Sequence, residues 1–139
     1  MVEKKLKKIC FFIKFFFKPK TYFKACKSQN NNEENLFLKS LSTTIKRNFF
    51  VEIGFHYKEF NTVGLIENNF NGQLIDGGRF LNIFIMKLLI FFLKKKIEIK
   101  NKFVTEKNII SLLDTKSIGC LSIDIDGNDY WILKKIMEE

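Results

Sequence analysis

The sequence predicts an α/β fold: a parallel sheet of about four strands with flanking helices, behind an N-terminal helical extension. Three observations lead there. From residue 49 onward, short apolar runs rich in Val, Ile and Phe alternate with stretches of helical spacing. Three of the four short runs end on an acid and a glycine, residues suited to tight turns at strand ends. The composition is that of one globular domain, with 139 residues, 46% hydrophobic, 28% charged and a single proline.

Two units divide the chain, residues 1–34 and residues 35–139. The first is basic, with Lys4, Lys5, Lys7 and Lys8 ahead of Ile9-Cys10-Phe11-Phe12-Ile13-Lys14-Phe15-Phe16-Phe17. That run is shorter than the ~20 apolar residues needed to span a bilayer, and Lys14 interrupts it. A small-residue cleavage site does not follow, so a signal peptide is not read. Two readings stay open. One is a basic, aromatic-rich helix lying on an anionic membrane, peripheral at its inner face. The other is a helix that packs on the domain or on a partner. Ser28-Gln29-Asn30-Asn31-Asn32-Glu33-Glu34 is a polar linker.

The linker leads into a helix over residues 35–46, where Leu36, Leu38, Leu41 and Ile45 recur at roughly helical spacing. Phe49-Phe50-Val51-Glu52-Ile53-Gly54 reads as the first strand, ended by glycine. Residues 62–69 form a short helix. Gln73-Leu74-Ile75-Asp76 is the second strand, closed by Gly77-Gly78. Phe80–Leu93 is a long helix, apolar all round except for Asn82 and Lys87. At about 14 residues it is short for a membrane span and reads as a buried core helix. Ile97-Glu98-Ile99 is a brief third strand. Thr105 starts the next helix, with Thr105-Glu106-Lys107-Asn108 resembling a capped turn. Gly119-Cys120-Leu121-Ser122-Ile123-Asp124 is the fourth strand, and residues 128–137 are the last helix. Such alternation calls for parallel strands joined by right-handed crossovers.

Several function classes are excluded. The net charge is +9, but the lysines cluster near the N-terminus and at Lys94-Lys95-Lys96, away from the strand ends. With no zinc-finger or RNA-binding pattern, nucleic acid is not expected as a partner. Cys10, Cys26 and Cys120 are odd in number, widely spaced and without a C-x-x-C pair. A disulfide framework and a zinc site are therefore not expected, and a reducing cytoplasm fits best. The dinucleotide fingerprint fails, because Gly54-Phe55-His56-Tyr57-Lys58 lacks the later glycines. A calcium loop at Asp124-x-Asp126-x-Asn128 fails too: Asp129 stands where its glycine belongs, and Lys135 where its bidentate Glu belongs. No resident metal is expected, with a single cation held by Asp124 and Asp126 as the minor alternative. His56, the single histidine, is open to two readings, a general base or a packing residue.

In a parallel sheet, ligands bind beyond the carboxyl ends of the strands. Glu52 and Gly54, then Asp76 and Gly77, then Asp124 and Asp126 stand there. Each also has an ordinary reading as a turn residue, a helix cap (Asn128, Asp129) or a lysine's partner (Glu52). Their recurrence at successive strand ends is the signal. An acid after the second strand suits the two hydroxyls of a ribose.

The segment Leu121-Ser122-Ile123-Asp124-Ile125-Asp126-Gly127-Asn128-Asp129-Tyr130-Trp131 resembles a motif of FkbM-like methyltransferases that use S-adenosylmethionine (SAM). Val51-Glu52-Ile53-Gly54 and Leu74-Ile75-Asp76-Gly77 are similar to that family's first and second strand ends, and Phe103-Val104-Thr105-Glu106-Lys107-Asn108-Ile109 to the stretch preceding the motif. The resemblance covers about residues 49–137. It implies a partial Rossmann-like fold of the class I methyltransferase type, with S-adenosylmethionine as cofactor. By the same resemblance, Glu52 and Gly54 line the methionine side and Asp76 with Gly77 the ribose. Asp124 and Asp126 are the candidate catalytic acids beside the transferred methyl. The implied acceptor is a hydroxyl of a sugar or other small metabolite. Two departures stand out. The loop Phe55-His56-Tyr57-Lys58-Glu59-Phe60 is bulky where the relatives carry Gly and Asp. The chain stops after about four strands, fewer than the complete fold, which is the pattern expected of a fragment, a degenerate paralogue or half of a homodimer. A non-catalytic interaction module is thus the alternative to an enzyme.

Overall fold

Phe49-Phe50-Val51-Glu52-Ile53 carries two aromatic and two β-branched residues, and it lies buried on both faces as an internal parallel strand must. In the computed structural model of the protein, residues 18–24, 37–38, 40–114 and 117–139 are described. They form α1 (Pro19–Lys24), β1 (Phe49–Ile53), α2 (Val63–Glu67), β2 (Asn71–Asp76), α3 (Phe80–Leu93), β3 (Ile97–Asn101), α4 (Ile109–Leu112), β4 (Cys120–Ile123) and α5 (Asp129–Met137). All strand pairs are parallel, in the order β3-β2-β1-β4. The protein is therefore an α/β fold with a four-stranded parallel sheet and flanking helices, the arrangement of a partial Rossmann-like domain. The order in which strands are added reverses at β1, which pairs Ile53 with Ile75 of β2 on one side and with Ile123 of β4 on the other.

Alternating side chains feed two cores. Phe50, Leu74 and Ile99 pack with Leu65 and Ile66 of α2 and with Ile83, Met86 and Leu89 of α3. On the opposite face Val51, Ile53 and Ile75 pack with Val104, Ile109 and Ile132. Phe23 of α1 joins the first core, its ring 6.1 Å from that of Phe60. α1 thus rests on the domain through Phe23. The apolar run 9–17 and the linker 28–34 lie outside the described residues.

The element bounds differ from expectation where side chains intervene. Residues 37–38 and 40–41 are helical, but Thr44 turns its hydroxyl onto the Leu41 carbonyl at 2.8 Å, and the helix gives way to a turn over 42–44. The helix expected from Thr105 begins at Ile109 instead. Asn108 accepts the Thr105 N–H at 2.8 Å and donates to the Phe103 carbonyl at 2.9 Å, which holds residues 106–108 as a turn. β3 runs on through polar Lys100 and Asn101, because the backbone there pairs with Ile75 and Asp76.

α3 has the bounds expected of it, yet it is not the fully buried helix its composition suggested. Ile83, Met86, Leu89 and Ile90 face the core, while Phe80 and Phe91 are each 74% exposed. Among the described residues, no helix is long and apolar enough to cross a membrane.

Buried Gln73 pins the segment after α4 onto the sheet. It donates to the Leu112 carbonyl at 3.3 Å and accepts the Asp114 N–H at 2.9 Å, while Lys100 donates to the same carbonyl at 2.8 Å.

At the end of β1 the chain turns sharply. Gly54 has φ +80° and donates its N–H to Ile75 O at 2.9 Å, and a β-carbon there would collide with the Asp124 carbonyl oxygen. Glycine alone meets both demands without strain. Gly54→Ala is expected to destabilise the fold by about 2–4 kcal/mol, from backbone strain and the forced separation of β1 and β4. A fall in the urea midpoint with an unchanged slope checks this.

Candidate functional site

The carboxyl ends of β1, β2 and β4 stand side by side and enclose a cavity of ≈ 400 Å³. Glu52, Gly54, Asp76, Gly77, Asp124 and Asp126 all line it. The sheet therefore gathers the six candidates into one place. Its size falls in the range of about 300–1,000 Å³ typical of small-molecule sites.

Glu52 faces the same side of the sheet as Phe50 and is 1% exposed. Its partners are local, and among the described residues no lysine holds it. Oε1 accepts the Asn61 N–H at 2.7 Å; Oε2 accepts the Thr62 N–H at 3.0 Å and the Thr62 hydroxyl at 2.5 Å. Thr62 is the N-cap of α2, so the carboxyl stands at the start of that helix. Burial nonetheless pushes Glu52 up to about 7, opposed by these hydrogen bonds and aided by the nearby charge of Asp124.

Asn61 belongs to the same corner. Its Nδ2 donates to Ser122 Oγ of β4 at 3.2 Å, while its buried Oδ1 has no hydrogen-bond partner among the described residues. Asn61 lines the cavity.

Asp76 ends β2. Its Oδ2 accepts the Gly78 N–H at 3.0 Å and the Asn82 amide at 3.1 Å. Asn82 itself is buried on the inner side of α3 and clamps the loop after β1. Its Nδ2 donates to the Phe55 carbonyl at 2.8 Å, and its Oδ1 accepts the Tyr57 N–H at 2.6 Å. One side chain thus ties three segments of the rim together. Phe103 borders the same end of the cavity, is 75% exposed, and packs so tightly on Gly77 that a β-carbon there would come within 2.7 Å of its Cα.

The loop after β1 is a closed turn. His56 and Glu59 exchange backbone hydrogen bonds of 3.1 and 2.8 Å, and both side chains reach the cavity rim. His56 Nδ1 accepts the Lys58 N–H at 3.4 Å, which leaves Nε2 to carry the ring proton. Partial burial and the Lys58 charge hold the imidazole below its ordinary range, so it is neutral near pH 7.

The acidic loop after β4 supports itself. Asp124 donates its N–H to Ile53 O at 2.8 Å, and Asp129 accepts the Ile125 N–H at 2.8 Å. Asp126 and Gly127 take left-handed φ of 48° and 89°. Asn128 occupies the N-cap of α5 without a side-chain capping bond, so the acid that organises the turn is Asp129. No group of three or more potential metal ligands converges among the described residues.

Comparison of the chain with protein-family models, with curated proteins and with solved structures finds no match in any of the three.

The sequence assigns no site role to Asn61, Thr62, Asn82 or Phe103. Asn82 left a trace, as a lone amide inside an apolar helix. The other three have no local signature, because what matters is the backbone or cavity they meet.

Two outcomes follow from this geometry. A carboxyl whose pKa is raised on folding stabilises the fold fully below its unfolded value, and that contribution disappears as pH rises through its folded value. For Glu52 the window runs from 4.5 to about 7, and the loss across it amounts to about 3 kcal/mol. Glu52→Gln is expected to flatten this slope, as measured by denaturation midpoints at stepped pH. Asn82→Ala leaves the Phe55 carbonyl and the Tyr57 N–H unpaired, at an expected cost of about 1–3 kcal/mol in unfolding free energy.

Proposed function

We propose that the chain is a methyltransferase-type domain that binds S-adenosylmethionine in the cavity at the strand ends. Its reaction on this reading is O-methyl transfer to a hydroxyl of a sugar or small metabolite. The observation that carries it is the convergence of Glu52, Gly54, Asp76 and Asp124 on one cavity at the point where the strand order reverses. The family resemblance of the acidic loop supplies the chemistry.

Each end of the cavity has a role on this reading. Asp76 takes the ribose hydroxyls through the carboxylate oxygen that Gly78 and Asn82 do not hold. Phe103 offers an exposed ring for stacking on the base. Asn61 Oδ1, buried and unpartnered, accepts from the ammonium of the methionine moiety, which removes the penalty of an orphaned acceptor. Asp124 takes the acceptor hydroxyl's proton as its oxygen attacks the methyl carbon, and Asp126 stands beside it at the mouth. The cofactor supplies the electrophilic methyl; orientation of the two partners supplies much of the rate. The cytoplasm is the proposed location, in keeping with three unpatterned cysteines.

The closed turn over residues 56–59 favours a second reading, a binding module without methyl transfer. There the His56 and Glu59 side chains stand at the rim, where glycines would let the backbone approach a ligand.

Calorimetry with S-adenosylmethionine separates the outcomes. Binding is expected to weaken about tenfold or more in Asp76→Ala, equivalent to about 1.4 kcal/mol or more. An absence of heat with the wild-type chain sinks the reading. Binding without release of S-adenosylhomocysteine, across a panel of hydroxylated acceptors, establishes the second reading instead.

A further inference from the structure

The outer side of α3 is the most unusual surface of the molecule. A helix that flanks a parallel sheet ordinarily turns a polar face to solvent. Here the exposed sector carries Phe80, Leu81, Phe84, Phe91 and Phe92. Phe80 and Phe84 stack along it with centroids 6.1 Å apart. At 100° per residue, positions 80, 84, 87, 88 and 91 fall on one stripe. That stripe is distinct from the buried one carrying Asn82, Ile83, Met86 and Leu89.

The charges on α3 and the residues that flank it all have one sign, although Glu98 of β3 lines a shallow depression with Lys87 and Phe91. Arg79 precedes the helix, Lys87 borders the apolar stripe about midway along the helix, and Lys94, Lys95 and Lys96 follow its end. From Arg79 through Ile97 there is no acidic residue. The first acid beyond, Glu98, lies on β3 within 3.8 Å of Lys100. α1, which packs against α3, adds exposed Lys18 and Lys20.

We propose that the outer side of α3 is a docking surface for an anionic lipid bilayer, with the phenylalanines inserted at the headgroup level and the lysines on lipid phosphates. Two arguments favour lipid over a protein partner. Protein interfaces are depleted in lysine, yet Lys87 borders this stripe and Lys94, Lys95 and Lys96 follow its end. Phe and Leu flanked by Lys are what an interfacial helix presents, since long lysine side chains can reach past inserted rings to the headgroups. This inference does not depend on the cofactor reading. It is also separate from the N-terminal run 9–17.

Vesicle flotation of the full chain tests it. Two compositions are used, phosphatidylcholine alone and phosphatidylcholine mixed with phosphatidylserine. Binding is expected only to the anionic vesicles and should fall with added salt. Phe80→Ser with Phe91→Ser should weaken it about tenfold or more. Lys87→Glu with Lys94→Glu and Lys96→Glu should abolish it. All five positions are solvent-exposed, so unchanged thermal melts will show that folding is intact. The N-terminal segment is present throughout. Three results overturn the proposal. They are no flotation with either vesicle, flotation that survives the Phe pair, and a dimer by light scattering that the Phe pair converts to monomer. The last would assign the surface to a second copy of the chain.

Discussion

Glu52 stands on a strand with neighbours on both sides and helices over both faces, where water cannot solvate a carboxyl. Whatever holds that group must come from the chain itself. The supply is two backbone N–H groups and one hydroxyl, from Asn61 and Thr62. This requirement fixes where the loop after β1 ends and where α2 begins. Leu65 and Ile66 then face Phe50 and Leu74 in the first core. Removing one side of such a buried arrangement leaves the other unsatisfied, which is the costliest kind of loss in an interior. A polar group at the cavity is thus also a structural determinant of the sheet's helical cover.

The sheet was readable because each strand holds a short apolar run, and three of the four runs are stopped by an acid and a glycine. Alternation with helical stretches then left parallel pairing as the consistent solution. α3 was readable to the residue, since nothing between Phe80 and Leu93 breaks a helix. The same uniformity hid which side would face solvent: an apolar pattern with no polar stripe carries no phase. β2 and β3 proved longer than expected because backbone pairing extends through Asn71, Gly72, Lys100 and Asn101, whose side chains give no strand signal. At the site, the acids and glycines were readable as residue types at strand ends. Their partners were not. Gln73 meets Asp114 across 41 positions and Asn82 meets Phe55 across 27, and no local pattern encodes such distances. Glu52 was open to pairing with a lysine, a surface habit of acids; burial turned it toward backbone donors instead.

α3 joins the two surfaces of interest. Its inner side holds Asn82, which secures Asp76 and the turn after β1. Its outer side holds the exposed phenylalanines and Lys87. The helix begins two residues after Gly78 of the cavity rim, so a bilayer against the outer side would lie close to the cavity's Asp76 end. On the proposed readings, a substrate carried in or near a membrane would meet the site along this edge. The proximity comes from chain geometry, since the β2–α3 connection is only Gly77-Gly78-Arg79.

The two ends of the cavity are built to different standards. At the Asp76 end, one carboxylate oxygen is already fixed by Gly78 and Asn82. The group therefore needs no reordering to accept hydroxyls, and Phe103 lies open beside it. That is the arrangement of a site formed before its ligand arrives, where binding loses little entropy. At the Glu52 end, both carboxylate oxygens already hold protein donors, and the turn over 56–59 fills the rim with side chains. A ligand reaching that end must rely on Asn61 Oδ1 and on Asp124. On the proposed reading, recognition of a nucleoside and transfer of a methyl group depend on separate residues in this cavity. The proposed function divides at that boundary, because binding requires the first end alone, whereas transfer requires the sulfonium to be held in line at the second.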